Sequence, residues 1–293
     1  MTVFVRVAEQ ASFTAAADSL GLPKASVSQA VSQLESQVGA RLLQRTTRRV
    51  SLTPDGQAYY ERCRDLLADV DELESMFQQT PATVSGRLRV DMPTGLARNL
   101  VVPKLPDFLD NYPGIEFELS CSDRQVDLIR EGFDCVLRVG NVHSSGLIAR
   151  PLGRLSMANC VSPGYIERWG KPEHPAELSN HRLIDYSQTL GSQTGDFEYL
   201  DGQRHSTCQV PVALTVNSIM AYTSACLAGL GIIQAPRAGV LTYLNEGVLV
   251  EVLEDFPAEP MPLSMVYPNR RHQAQRLKVF MNWVEEVTEG YVD

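Results

Sequence analysis

The sequence predicts an α/β protein headed by a small helical unit, with one long helix between the two. Three observations carry that expectation. Residues 12 to 37 (SFTAAADSLGLPKASVSQAVSQLESQ) have the spacing of two helices joined by a tight turn, residues 59 to 77 repeat apolar positions every three or four, and from residue 87 strand-like and helix-like runs alternate. A chain of 293 residues is long enough for more than one domain.

In the first segment Ala17 is small enough to let two helices cross closely. Gly21 can take the positive φ of a tight turn, and Val27 faces back into the crossing. Val3, Val5 and Val7 fall on a first helix, Phe13, Ala16 and Leu20 on a second, and Val27, Val31 and Leu34 on a third. Ser12 or Thr14 caps the second helix, and Gly39 sits just past the third. This is a helix-turn-helix. Its geometry places the third helix in a DNA major groove, with Lys24, Ala25, Ser26 and Gln29 towards base edges and Gln29 suited to a bidentate pair with adenine. Ser12, Thr14, Ser28 and Ser32 flank them as candidate phosphate contacts. A helical hairpin that only packs would fit an alanine-rich helix followed by glycine equally well, so the neighbouring segment has to decide.

Residues 41 to 53 (RLLQRTTRRVSLT) read as two short strands around a turn near Thr46 and Thr47, with Arg41, Arg45, Arg48 and Arg49 close together. Beside a recognition helix, such a hairpin is a wing whose Arg45, Thr46, Thr47, Arg48 and Arg49 grip phosphates. Charge supports the division. The whole chain carries −9, but residues 1 to 64 carry +3 and the remainder −12.

Thr53 can cap a helix begun by Pro54, with Asp55 at its positive end. Along it Tyr59, Cys63, Leu66, Val70, Leu73 and Phe77 recur at spacings of four and three, the a/d seam of a dimerising coiled coil. An amphipathic helix lying on its own domain is the alternative. The stretch QQTPATVSG (78 to 86) breaks the periodicity. The expected domains are therefore 1–54, winged helix-turn-helix; 55–78, linker and dimerisation helix; 79–86, linker; and 87–293, an α/β domain.

Within the last, RLRVDM (87 to 92), IEFELSCS (115 to 122) and FDCVLRVG (133 to 140) are strands separated by helices over LARNLVVPKLPDFLDNY and QVDLIREG, an order that predicts a parallel sheet. A second set follows with LSMANCV (155 to 161), RLIDYS (182 to 187), a hairpin turning at Asp201 and Gly202, VALTVNS (212 to 218), a helix over 219 to 228, and GIIQAP (231 to 236). The last helix, 273 to 289, sets Leu277, Phe280, Trp283, Val284 and Val287 on one face and packs back on the first set. Two subdomains result, about 87–160 with 266–293, and about 161–265.

With these residues in view, the chain resembles a LysR-type transcriptional regulator along its full length. The segment SFTAAADSLGLPKASVSQAVSQLESQVGARLLQRTTRRVSLTPDG is highly specific for that family, and RVGNVHSSGLIARPLG and ACLAGLGIIQAP look like its CrgA-like branch. The resemblance implies a homodimer assembling into a homotetramer, a double-stranded DNA operator with partial dyad symmetry, and a periplasmic-binding-protein-like effector domain. It also implies a small-molecule effector and contact with RNA polymerase. Two features depart from the family pattern. The first helix opens almost directly on Met1, which puts the natural start upstream or makes the helix short. Pro23 stands where many members have a capping serine.

In open α/β sheets ligands sit beyond the carboxyl ends of strands. That nominates Thr94, Gly95, Ser122, Asp123, Arg138, Val139, Gly140, Tyr186, Ser187, Asn217, Ser218 and Gln234, and the resemblance places its effector in the same cleft. Thr94 beside a helix start could offer donors to a carboxylate, and Arg138 or Arg98 could add charge, so a small organic anion is the expected ligand. Arg138 could instead pair with Asp123 or Asp134.

Cys63, Cys121, Cys135, Cys160, Cys208 and Cys226 include no C-x-x-C, and neither a signal peptide nor a long apolar segment is present. They read as reduced thiols of a cytoplasmic protein without membrane attachment, with Cys121 the one candidate for redox sensing. The five histidines lack metal-ligand spacing, so no metal or other cofactor is expected. An enzyme finds no G-x-S-x-G, phosphate-cradling loop or nucleophile with its base. The nearest carboxylate pairs, Asp123 with Asp127 and Glu285 with Glu286, look solvated. An exported solute binder lacks its export signal.

Overall fold

The structure, a computed structural model, describes residues 1–45, 50–75, 84–124, 126–141, 146–191, 195–202, 204–269 and 273–292. It divides into two units, Met1–Arg87 with Gly114–Glu116, and Leu88–Pro113 with Phe117–Asp293.

The first unit opens with α1 (Thr2–Gln10), α2 (Phe13–Leu20) and α3 (Lys24–Val38). Ser12, not Thr14, caps α2: its Oγ accepts from the Ala15 amide at 3.2 Å. Gly21 ends α2 at φ 64°, where a Cβ would be strained, and Gly39 ends α3 at φ 75°. Ala17, Val27 and Val31 are buried together with Phe4, Val5, Val7, Phe13 and Ala16, so the crossing forms as the spacing predicts. Pro23 precedes α3 and supplies no side-chain cap.

Two short antiparallel strands follow, β1 (Leu43–Arg45) and β2 (Val50–Leu52), with Leu43 opposite Leu52. Helix α4 (Pro54–Ser75) starts from a Thr53 cap, whose Oγ1 accepts from the Gly56 amide at 2.9 Å and donates to the Arg41 carbonyl at 2.7 Å. Gly56 is required by close approach. A Cβ there would lie 1.9 Å from the Leu42 carbonyl oxygen.

A five-stranded sheet, most of it in the second unit, is made of β3 (Ser85–Met92), β4 (Gly114–Cys121), β5 (Cys135–Val139), β6 (Leu147–Leu155) and β14 (Met261–Pro268), in the order β4-β3-β5-β14-β6. Strand β5 runs parallel to β3, but β14 is antiparallel to both β5 and β6, so the sheet is mixed rather than parallel. The segment after β3 runs as a turn α5 (Thr94–Leu96), a π turn (Ala97–Val101) and α6 (Val102–Asn111). Pro103 and Pro106 have no amide to donate back along it. The helix expected over QVDLIREG is a single turn, α7 (Leu128–Glu131), capped by the Asp127 carboxylate.

The second lobe contains β7 (Met157–Val161), α8 (Pro163–Trp169), β8 (Leu183–Tyr186), the hairpin β9 (Asp196–Asp201) with β10 (Arg204–Gln209), β11 (Val212–Val216), α9 (Ile219–Leu227), β12 (Ile233–Pro236), α10 (Arg237–Asn245) and β13 (Val250–Glu251). Strand β7 pairs with β12 and β13, and β14 belongs to the first sheet. The lobe boundaries therefore fall between Leu155 and Met157 and before Met261, not at 160 and 266. Helix α11 (Gln275–Thr288) returns to the first lobe, where Phe280 and Trp283 meet Phe108 at 5.7 and 5.0 Å between ring centroids.

Replacing Gly56 with Ala should destabilise the first unit by about 3 kcal/mol, the upper range for overpacking, because backbone must move. Amide exchange resolved by segment should show the loss in residues 1–75 and spare the second unit.

Candidate functional site

Lys24, Ala25, Ser26 and Gln29 are all exposed on the first two turns of α3, and Thr14 and Ser32 are exposed nearby. Ala25, Ser26, Gln29 and Ser32 fall on the face of α3 opposite Val27 and Val31, which anchor the helix, while Lys24 is exposed at its first turn. Ser12 and Ser28 are half-buried. Ser12 spends its oxygen on the Ala15 amide and keeps its hydroxyl proton for donation. Thr46, Thr47, Arg48 and Arg49, and the side chain of Arg45, lie outside the described residues.

The wing is tied to α3 by a carboxylate. Glu35 Oε1 accepts from the Leu42 amide at 2.8 Å and the Leu43 amide at 3.0 Å, two donors that the chain exposes as it enters β1. Sequence reasoning passed over Glu35, because nothing in its spacing announces a partner seven and eight residues away.

The seam expected on α4 is divided. Cys63 is 1% exposed and packs with Phe4, Leu42 and Leu43, while the Tyr59 ring meets Phe4 edge-on at 5.7 Å. Cys63 therefore closes the core of its own unit and is not available to a dimer seam, while Tyr59 is half-buried against that core. Leu66 and Val70 are 52% and 50% exposed. Phe77 and the side chain of Leu73 lie outside the described residues.

In the second unit a cavity of about 300 Å³ opens between the lobes. Of the nominated residues, Gly95, Ser122, Asp123, Arg138, Val139, Tyr186 and Gln234 line it; Thr94, Gly140, Ser187, Asn217 and Ser218 do not. The reasons are local. The Gly140 amide donates to the Pro262 carbonyl, and Ser187 Oγ donates to the Thr189 carbonyl. Asn217 is exposed, and Ser218 precedes α9. The Thr94 amide donates to Asp123 Oδ1 at 3.1 Å, so the donor expected for a ligand carboxylate is already engaged.

Helix faces supply lining that strand-end reasoning missed, including Leu96, Met220, Tyr222, Val240 and Tyr243. Gln234 is committed to the protein: its Nε2 donates to Asn159 Oδ1 and the Glu198 carbonyl, at 2.9 and 2.8 Å. Burial pushes the Tyr186 hydroxyl up to about 12, with the Asp123 charge adding to the effect. Tyr186 stands edge-on to Tyr222 at 5.7 Å.

Arg138 pairs with neither Asp123 nor Asp134. Its Nη2 lies 3.5 Å from Oδ1 of Asp91, which is fully buried and accepts from Ser122 Oγ at 2.9 Å. Burial raises the Asp91 carboxyl above its ordinary value, opposed by Arg138 and Ser122. Arg98 is different. Its Nη1 reaches the Tyr243 hydroxyl at 3.2 Å and no carboxylate among the described residues, leaving a guanidinium without a countercharge at the cleft wall. Cys121 is exposed, but desolvation and the charges of Asp91 and Asp123 raise its thiol, the opposite of what a reactive thiolate needs.

Comparison with known proteins places both parts of the chain in one family. Residues 1–57 match the model "Bacterial regulatory helix-turn-helix protein, lysR family", and residues 81–289 match "LysR substrate binding domain". The chain is 48% identical to an uncharacterized HTH-type transcriptional regulator, YhjC, of Escherichia coli (strain K12), over 100% of this chain and 98% of the relative. It is 40% identical to an HTH-type transcriptional repressor of Pseudomonas aeruginosa (strain UCBPP-PA14), over 98% and 90%. It also resembles the structure of CrgA, a LysR-type transcriptional regulator from Neisseria meningitidis, at a TM-score of 0.63 and 31% identity, over 97% of this chain and 96% of that one.

Removing the Glu35 carboxylate with Glu35→Ala orphans two amides and should cost about 2 kcal/mol, read in thermal unfolding of the first unit. Asp91→Ala should cost about 3 kcal/mol in urea unfolding, because Arg138 is left buried without an acid. Since the folded pKa of Asp91 is raised, its protonation stabilises the fold below the unfolded pKa, and that gain is lost as pH rises through the folded one. Asp91→Asn should remove this dependence.

Proposed function

Because the chain belongs to the LysR family of transcriptional regulators, joining a DNA-binding helix-turn-helix to an effector-binding domain, we propose that the exposed start of α3 reads a DNA operator while a small organic anion between the lobes governs the outcome. The chain is a regulator and not an enzyme. One observation carries the DNA assignment: Ala25, Ser26 and Gln29 stand in solvent on the face of a helix opposite the buried Val27 and Val31, with Lys24 exposed at its start. Gln29 pairs with adenine in the major groove. Ser12, Thr14, Ser28 and Ser32, with Arg45, Thr46, Thr47, Arg48 and Arg49 of the wing, hold phosphates.

Two copies pair through the part of α4 that the first unit leaves uncovered, from Leu66 and Val70 onwards through Leu73 and Phe77, and pairs of dimers form a tetramer. Two exposed aliphatic residues at the four-residue spacing of a seam support it. The effector places its charge against Arg98 and its apolar body among Leu96, Val240 and Met220. It acts through unequal affinity for two lobe arrangements, which changes the spacing of the DNA-binding units and hence DNA bending or contact with RNA polymerase. Among the described residues no helix is long and apolar enough to cross a membrane, consistent with work in the cytoplasm.

Three measurements test this reading. Gln29→Ala should weaken operator binding by about 1–3 kcal/mol at one base position and relax preference there; a uniform loss on all sequences would contradict base reading. Arg48→Ala should lower affinity for every sequence and reduce the salt slope by about one counterion. Leu66→Glu with Val70→Glu should shift sedimentation towards monomer while leaving the first unit folded, because neither side chain belongs to its core.

A further inference from the structure

Asp123 occupies an unusual place in the cleft. It follows β4 in the first lobe, and its two carboxylate oxygens accept from amides of different lobes: Oδ1 from Thr94 at 3.1 Å and Oδ2 from Ile219 at 2.9 Å. Thr94 opens the segment after β3, and Ile219 opens α9. Nearby, Arg98 Nη1 also reaches across the lobes to the Tyr243 hydroxyl at 3.2 Å and to Met220 Sδ at 3.8 Å, and Asn99 Nδ2 donates to the Gly239 carbonyl at 3.3 Å. Of these links, only that of Asp123 is a charge-assisted bond to backbone, which is stronger than its neutral counterparts.

We propose that Asp123 is a specificity-determining latch: it fills the cleft's converging amides with the chain's own carboxylate, binds the lobes together, and leaves Arg98 to meet the effector's charge. This rests on the effector reading of the cleft and adds to it. Thr94 and Asp123 belong to the same lobe, so separation of the lobes breaks the Ile219 bond and keeps the Thr94 bond. The amide pair is closed to a ligand carboxylate while the latch is engaged, because a second anion there would face Asp123 itself. An effector acid therefore has one open cation in the cleft wall, Arg98, whose guanidinium has no carboxylate partner among the described residues. Arg124 is bound to Glu131 through both terminal guanidinium nitrogens, and Arg138 sits against Asp91.

The test uses the full chain without operator or effector, so its outcome is independent of whether an effector regulates DNA binding. Asp123→Ala and the wild type are melted in sodium formate and, at equal ionic strength, in sodium chloride. The variant should melt lower than wild type. Formate should raise its Tm saturably by about 2–4 °C beyond chloride as the small carboxylate replaces the missing one, while the wild type shows no such difference. Equal melting of variant and wild type, or a destabilised variant that formate helps no more than chloride, would overturn the proposal. Asp123→Asn covers the case in which the alanine variant does not fold. Amide exchange at Ile219 should then accelerate by roughly tenfold, the worth of one hydrogen bond to a charged acceptor. Unchanged protection at Ile219 would likewise overturn it.

Discussion

Backbone amides that leave a helix or a strand ladder must find an acceptor, and among the described residues Glu35 and Asp123 each accept from two of them. Glu35 receives the amides of Leu42 and Leu43 and so fixes where the wing departs from α3. Asp123 receives the amides of Thr94 and Ile219 and so fixes how the lobes meet around the cleft. Both are loop or helix-end problems solved by one side chain at long range. The two surfaces we propose for function, the exposed start of α3 and the wall of the cavity, are held by these pairs. A charged acceptor suits the task because its bonds are stronger than those of a neutral carbonyl and both oxygens can be used at once.

The first unit also shows how packing divides a single helix between two duties. The initial turns of α4 complete the core, where Tyr59 and Cys63 pack against α1 and β1. Gly56 allows the helix to press against the Leu42 carbonyl. Beyond Cys63 the same apolar stripe emerges into solvent at Leu66 and Val70. A heptad pattern read from sequence reports one continuous face, whereas the fold spends its beginning inside and leaves Leu66 and Val70 in solvent.

Local rules made the helical head legible. Ala17, Gly21 and Val27 act through contacts within about one turn of the crossing, and Ser12 and Thr53 cap the helices that follow them. Most strands of the α/β part are legible from their apolar runs, but their directions are not. Strands β6, β13 and β14 are not read from the sequence, and the antiparallel insertion of β14 between β5 and β6 depends on a chain that leaves for the second lobe and returns. The cleft was half legible for a related reason. Strand ends led to Ser122, Arg138 and Tyr186, while the faces of α9 and α10 supplied Tyr222 and Tyr243, which only the packing of the lobes brings to the same cavity. Arg138 offered the same composition signal as Arg98, yet burial beside Asp91 gives it an internal partner.

The central claim is that an exposed recognition helix, held by its buried face and by Glu35, reads a defined DNA sequence. Selection of bound genomic fragments with the purified full-length protein at near-physiological salt, followed by footprinting, tests it most directly. The account predicts a discrete protected site with partial dyad symmetry, contacted in successive major grooves. Uniform, salt-sensitive binding along every fragment, or no binding, would contradict it.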